Sequence, residues 1–452
     1  MKGYNAWNYA PYIPAGERTG TSVPYICRLA PSYNKVEVEW FHNNYEGVHR
    51  IFYSKVNSGS WQEQLISERT FTIEGLEQDM EYMLYIKADN GPQSIVRVIR
   101  TGFVPGAVVN YLHPKDNQYS FSGQYLCSPS LVKLPSGVLL ASMDVYGRAA
   151  PQNLTLIFRS KDGGSSWQYV TDIFPCFWGK MFLHKDALYM LGVSNEYGDL
   201  LIGRSDDEGN TWTAPTVIMR GSSNIKENGN HKAPVAVLQS HGRLWTGSEF
   251  GCWHKKQFKS SLYSIDENDD LMQANNWTCT GFLAHNDTWP GAEQECAGGI
   301  EGNVVESPKG EIFNILRYSK SKALMLKANP DNPEEGLTFY KFIEFPLAHT
   351  KFEIQRHDNG IYYAVGNKFP GRTVLSVYTS EDLEHWKFKC DVMNYYQMDI
   401  KEVGFQYPSF YFDEDDLLVL SRTAFNNAAN FHDSNYITFH RVKLCVHQQY
   451  TR

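Results

Sequence analysis

The sequence predicts an all-β chain in two parts: an N-terminal antiparallel β-sandwich, then a ring of short four-stranded units, a β-propeller. The first observation behind this is a turn signature, S-x-D-x-G-x-x-W, that occurs twice in register. Its copies are Ser160-Lys-Asp162-Gly-Gly164-Ser-Ser-Trp167 and Ser205-Asp-Asp207-Glu-Gly209-Asn-Thr-Trp212, 45 residues apart. Each follows a strand-like run ending in Arg (Leu156-Ile-Phe-Arg159 and Leu200-Leu-Ile-Gly-Arg204). A repeat of that period, closing a run of strands, is the mark of a propeller blade. The second observation is composition: 14% aromatic residues, with 28 Tyr and 11 Trp, punctuated by Gly, Asn and Asp and lacking long helical stretches. The third is a series of paired apolar runs, each pair joined by a tight turn.

The opening residues 1–19 read as an extension. Residues 20–102 read as the sandwich: Val36-Glu-Val-Glu-Trp40 alternates with Trp40 inward, His49-Arg-Ile-Phe-Tyr-Ser54 follows, and Phe71-Thr-Ile-Glu-Gly-Leu76 leads into Glu81-Tyr-Met-Leu-Tyr-Ile-Lys-Ala88. Phe103-Val-Pro-Gly-Ala107 reads as a linker, and 108–452 as the propeller. Six units follow from their first two strands: 128–134 with 138–143, 180–184 with 187–191, 233–238 with 243–247, 302–306 with 311–316, 351–355 with 361–365, and 408–412 with 416–420. Degenerate copies of the turn end units three (Ser264 to Trp277) and five (Ser380 to Trp386). An outer strand at 436–442 completes unit six, and the segment around Asn110–Phe121 is placed to close the ring. A seventh blade stays open if that segment and the long insertions hide one.

In each turn the Asp carboxylate accepts backbone N–H groups, the Gly takes a positive φ and the Trp caps the small core. In a propeller all innermost strands run the same way, so their starts, and the ends of the second strands, meet on one face. This defines two rings. The inner one is Cys127, Trp178, His231, Glu301, His349 with Lys351, and Tyr407; the outer one is Asp144, Glu196, Glu249, Arg317, Asn367 and Arg422. Acids, bases and cations gather here where ordinary strand ends carry Gly, Ser or Asn, so this face is the expected site.

A net charge of −8 without a basic block argues against nucleic acid. Eight Cys show neither C-x-x-C spacing nor a dense framework, so no zinc site, disulfide scaffold or cofactor is expected. Residues 1–14 (MKGYNAWNYAPYIP) lack an apolar leader core and no segment reaches transmembrane length. The expectation is a soluble cytoplasmic protein without a membrane partner, or a secreted one if a leader has been removed.

The repeated turn resembles the Asp-box of sialidase-type propellers, and the sandwich, with Trp40 as core plug and Tyr82 six residues after Leu76, resembles a fibronectin type III module with its tyrosine corner. Glu301-Gly-Asn-Val-Val-Glu, with Arg317 sixteen residues on, is similar to a sialidase segment, and Gly404-Phe-Gln-Tyr407-Pro-Ser to the one carrying that family's nucleophilic Tyr. The resemblance implies Tyr407 as nucleophile, Glu301 as its base and Arg317 as a bidentate binder of a substrate carboxylate. A neutral phenol suits a sugar whose own carboxylate, beside the reactive carbon, would repel an Asp or Glu. Arg422, His231, Glu249, Lys351 and Trp178 would complete the substrate contacts, and Asp144 is the candidate acid.

The chain departs from the family where Cys127-Ser128-Pro129 stands in place of an R-I-P entry. Its first loop offers only Asp144, at its start, as an acid. The arginine set is therefore incomplete, and sialic acid is expected to be a poor substrate. The expected function is removal of a terminal acidic sugar from an oligosaccharide or polysaccharide-derived glycan. Two alternatives stand beside it. Trp178-Gly-Lys-Met-Phe-Leu-His184 and His231-Lys-Ala-Pro234 are similar to a propeller branch related to rhamnosidases and uronate lyases, which use His, Tyr and Arg. A glycan-binding propeller without catalysis is the other. Structural readings also exist for single residues: Tyr407 as a packed channel tyrosine, Arg317 as neutraliser of Glu301, Asp144 as a turn residue, and His231 as a loop hydrogen-bonder. His184, at the far end of its strand, and the Asp-box residues are expected to be structural.

Overall fold

The computed structural model describes residues 4–5, 23–43, 45–222 and 224–444. The 1–19 extension therefore lies, apart from the strand Tyr4–Asn5, outside the described residues. Among the described residues no helix is long and apolar enough to cross a membrane.

Residues 25–100 form two facing sheets. One orders Tyr25–Pro31, Val36–Phe41 and Thr70–Ile73, and the other Gln62–Ile66, His49–Lys55, Glu81–Ala88 and Arg97–Arg100. Alternation drives this pairing: Val36, Val38 and Trp40 point inward from one sheet, and Ile51, Leu84 and Ile86 from the other. The Tyr82 hydroxyl accepts the Glu77 amide at 2.9 Å, pinning the corner after Gly75.

Six antiparallel sheets follow in chain order. Sheet one comprises Tyr125–Lys133, Leu139–Tyr146, Thr155–Ser160 and Gln168–Ile173; sheet two comprises Phe177–His184, Ala187–Val193, Leu200–Ser205 and Thr216–Met219, with Tyr4–Asn5 added at its outer edge. Sheet four runs from Ile300–Glu306 to Thr338–Glu344, and sheet five from Glu353–Arg356 to Lys387–Asn394. Sheet six comprises Gly404–Asp413, Asp416–Ala424 and Tyr436–Lys443, with Ala107–Tyr111 as its outermost strand. An apolar cluster fills each gap between successive sheets. Met190 meets Ile157, Tyr263 meets Ile202, Leu316 meets Leu262, Ile354 meets Phe313, Phe410 meets Leu375, and Leu418 returns to Leu131 of sheet one. The arrangement is a closed β-propeller, with starts of the innermost strands on one face.

Two expectations need correction. Ring closure is made by Ala107–Tyr111, so Ala107 is not linker and most of the segment around Asn110–Phe121 is loop. In sheet three the strand expected over 233–238 does not form. The inner position is split between Gly229–His231 and Leu238–Ser240, which pair with the same strand Arg243–Cys252 on either side of residues 232–237.

The two repeated turns make the same bonds. Ser160 Oγ donates to Asp162 Oδ1 (2.7 Å) and accepts from Gly164 N (2.8 Å), Ser166 N donates to Asp162 Oδ1 (2.9 Å), and Trp167 Nε1 donates to Gly164 O (3.1 Å). Ser205, Asp207, Gly209, Thr211 and Trp212 repeat each of them. Gly164 (φ 97°) and Gly209 (φ 84°) supply the left-handed step. The turn after sheet five's third strand keeps the Ser380–Asp382 and Trp386–Leu383 bonds, with Leu383 at φ 70° replacing Gly. The turn after Ser264 does not: its Trp277 bonds Leu271 O instead.

Trp167 lies on Phe439 of sheet six, ring centroids 5.6 Å apart, in the cluster that joins the last sheet to the first. Trp167→Ala should therefore cost about 3–5 kcal/mol, the usual loss for truncating a buried large aromatic. Urea unfolding measures this, and a loss below about 1 kcal/mol would show that the turn does not fasten the ring.

Candidate active site

Four innermost strands open on a residue in the left-handed region: Ser128 (φ 49°), Trp178 (51°), Glu301 (59°) and Tyr407 (51°). At each one the ladder register skips, between Cys127 and Ser130, Phe177 and Lys180, Ile300 and Asn303, and Gln406 and Ser409. These are β-bulges, which re-aim a side chain out of the strand's alternation. A non-glycine residue there costs on the order of 1–3 kcal/mol. The preceding sheet holds two of them in place. Asp144 Oδ2 accepts Trp178 N at 2.7 Å, while Glu249 accepts Glu301 N and Gly302 N, each at 3.1 Å.

The bulges bring side chains of non-neighbouring sheets together. Tyr407 Oη of sheet six donates to Glu301 Oε1 of sheet four at 2.9 Å, and Arg317 Nη1 donates to Glu301 Oε2 at 2.9 Å. Burial alone would raise the Glu301 carboxyl. The charges of Arg317 and His231 and the bonds from Tyr407 and Arg317 outweigh it and hold the group below its usual range. Burial, reinforced by the Glu301 charge, pushes the Tyr407 phenol up to about 12. At neutral pH the pair is thus a phenol donating to a carboxylate. Chemically, this is a weak nucleophile already bonded to the base that would take its proton.

Arg422 of sheet six lies over the rings of Tyr407 (5.2 Å) and Tyr146 (5.3 Å) and donates to His432 O; its Nε is buried without a partner. A residue absent from both expected rings joins it. Arg372, at φ 58° in the turn between Tyr362–Asn367 and Val374–Ser380, bonds Gln406 Oε1 and acts on Tyr407 together with Arg317 and Arg422. Burial pushes its guanidinium down to about 10, which leaves it cationic at neutral pH. The signal for it was five residues beyond Asn367, outside a ring counted at strand ends.

The other expected residues fall into two groups. His231 Nδ1 sits 2.9 Å from Glu249 Oε2 and its ring 4.6 Å from the Trp178 ring, so His231, Glu249 and Trp178 form the wall beside Glu301. Asp144 is fully buried, its Oδ1 accepting Thr155 Oγ1 at 2.6 Å; burial raises its carboxyl well above the usual range. Lys351 is enclosed beneath the bulge, donating to Pro408 O, the residue after Tyr407. His349 Nδ1 is buried without a partner. His184 Nε2 contacts Glu267 O at 2.8 Å. Among the described residues no group of three or more His, Cys, Asp or Glu is gathered as a metal site requires.

Under the pocket, Lys180, Lys232 and Lys351 surround Glu353, with Lys180 Nζ 2.7 Å from its Oε1. Lys232 is fully buried, and its ammonium donates to Ala233 O.

No protein-family model matches this chain, and no curated protein matches its sequence. Solved structures do. The GH93 α-L-arabinofuranosidase of Fusarium graminearum, in complex with arabinobiose, matches at TM-score 0.50 and 14% identity, over 75% of this chain and 97% of that one. A protein of unknown function from Dyadobacter fermentans matches at 0.50 and 12% identity, over 76% and 100%. The Hadza microbial sialidase Hz136 matches at 0.49 and 13%, over 96% and 99%. At such identity the likeness is one of fold: this chain is a β-propeller.

Burial pushes the Lys232 amine down from 10.5 to about 7. Between those values the unfolded chain binds the extra proton, so this group makes stability rise with pH; below pH 7 its full penalty applies. Lys232→Met should accordingly raise the melting temperature more at pH 6 than at pH 9.5. Equal shifts in calorimetry at both pH values would refute a charged, destabilising Lys232.

Proposed function

We propose that this chain is a glycoside hydrolase that removes a terminal acidic sugar. The observation that carries the reading is the Tyr407–Glu301–Arg317 relay, with two 2.9 Å bonds meeting on one buried carboxylate. Glu301 draws the phenolic proton as the oxygen attacks the anomeric carbon, giving an aryl glycoside on the enzyme and, after hydrolysis, net retention. Arg317, Arg372 and Arg422 face Tyr407 against the single Glu301 charge, an excess of positive charge that an anionic substrate offsets. The arginine missing at Cys127 is thereby made good from another sheet: Arg422 stands close enough to act on the Cys127 thiol. Sheets one to six are its six blades, and the N-terminal pair of sheets is a module of the fibronectin type III kind.

Structural relatives include an arabinofuranosidase bound to arabinobiose, so a neutral furanoside is the competing substrate. A panel of methylumbelliferyl glycosides of sialic acid, glucuronic acid and arabinofuranose tests this. At least one of the two acidic glycosides should be turned over, and Arg317→Ala should lower its kcat/KM by about 10²-fold or more, as loss of a buried charge pair does. Turnover of the arabinofuranoside alone would overturn the acidic specificity. Glu301→Gln should slow formation of the glycosyl-enzyme by about 10²–10⁴, and a fluorinated analogue should label Tyr407 in the wild type and not in Tyr407→Phe. An unsaturated product absorbing near ~235 nm, the mark of α-proton abstraction at a uronate, would instead identify a lyase using His231 and Tyr407.

A further inference from the structure

Resting on that hydrolase reading, we infer that Glu196 of sheet two is the proton donor to the leaving group. Two arcs of side chains start at Glu301. One runs through Tyr407 (2.9 Å) to Arg422, 5.2 Å from the Tyr407 ring, and on to Cys127, whose thiol lies in the fields of both Arg422 and Glu196. The other runs through the His231 ring to Trp178 (4.6 Å) and Tyr197 (6.2 Å), the neighbour of Glu196. Both arcs thus lead from the Tyr407–Glu301 pair to Glu196, one by way of Arg422 and Cys127 and the other by way of His231, Trp178 and Tyr197. A nucleophile and an acid must flank the scissile bond from opposite sides, and Glu196 is the carboxyl reached by both arcs leading away from the nucleophile.

Glu196 also differs from its counterparts. Asp144 and Glu249 lie within the second strands of their sheets and are bound to backbone amides of the next sheet, whereas Glu196 lies in the turn that follows Ala187–Val193. Glu196 is half-buried. Its Oε2 accepts the Gln152 Nε2 amide at 2.6 Å, and the Tyr197 hydroxyl stands beside it. Gln152 belongs to the sheet-one loop from which the acid was expected. Held at φ 54° with its amide on Ser122 O (3.0 Å), it now orients a carboxyl supplied from sheet two. Next to it, the exposed rings of Phe121 and Phe174, 6.4 Å apart, offer a stacking surface for a departing sugar.

In the first step the Glu196 proton passes to the glycosidic oxygen as its bond to the anomeric carbon breaks. The phenolic oxygen of Tyr407 forms the new bond and its proton moves to Glu301. In the second step Glu196 takes a proton from the attacking water, and Glu301 returns its proton to the released phenolate.

The test compares the intact protein with Glu196→Gln on two acidic glycosides of one sugar, a 2,4-dinitrophenyl glycoside and a disaccharide. Dinitrophenolate departs unprotonated. The variant should therefore keep kcat/KM within about tenfold on the first substrate and lose about 10²–10⁴ on the second. It should also accumulate glycosyl-enzyme, and added azide should rescue turnover as the glycosyl azide. Gln152→Ala, which leaves the carboxyl in place but unoriented, should show a smaller loss in the same direction. Equal losses on both substrates, or none on either, would overturn the assignment while the hydrolase reading stands. A wild-type protein inert on every acidic glycoside would overturn both.

Discussion

The site depends on one constraint: innermost strands begin with a residue forced into the left-handed region, and a carboxylate of the sheet before holds two of them there. Without the bulges, Glu301 and Tyr407 would follow the strand alternation and could not meet across the channel. Each strained residue costs on the order of 1–3 kcal/mol. A hydrogen bond from a backbone amide to a buried carboxylate contributes about 1.5–3 kcal/mol, enough to offset it. The Glu249 bonds to Glu301 N and Gly302 N therefore secure the position of the Glu301 carboxylate. They also explain why acids crowd this face without all being available for chemistry.

Charge is layered along the channel. At the mouth, Arg317, Arg372 and Arg422 surround a phenol and one carboxylate. Below, Lys180, Lys232 and Lys351 share Glu353, whose Oε2 has no hydrogen-bond partner. The upper layer keeps Glu301 ionised in spite of burial, as the base role proposed for it requires. The lower layer ties the sheets that carry the site: Lys180 of sheet two reaches Glu353 of sheet five and Ser409 of sheet six, while Lys351 supports the Pro408 carbonyl beside Tyr407. Arginine at the mouth and lysine beneath fits their chemistry. Guanidinium forks grip a planar carboxylate, whereas a single ammonium bonds carbonyl and carboxylate oxygens in a confined space.

Much of this was legible in the sequence because the determinants are local. The turn residues from Ser160 to Trp167 define their own hydrogen bonds, and strand order in a propeller follows chain order. Counting strand ends therefore sufficed to bring Tyr407, Glu301 and Arg317 to one face. Arg372 escaped because it comes from a turn, where a residue's direction depends on a positive φ that composition does not reveal. The difference between Glu196 and its ring-mates Asp144 and Glu249 was equally hidden, since it lies in which backbone amide each one meets. Sheet three misled for a different reason: Ala233-Pro-Val-Ala-Val-Leu238 has a strand's apolarity, but the ladder is interrupted over 232–237.

The sandwich is bound to the ring more closely than a spacer would be. Tyr111 of the closing strand and Tyr436 beside it, 4.6 Å apart, belong to the same apolar cluster as Trp40, Tyr82 and Leu84. Arg28 Nε donates to Val109 O of that strand, Glu39 accepts Tyr169 N of sheet one, and Arg97 pairs with Asp116 in full burial. A propeller's weak point is the seam where its last sheet must be completed from a distant part of the chain. Here the seam strand leaves the sandwich only a few residues earlier and helps to form its core. The two parts therefore share one core at the seam, and opening the ring would also expose the sandwich core. Arg422 and Tyr407 lie on the sheet so closed, which links the integrity of the N-terminal module to the geometry of the pocket.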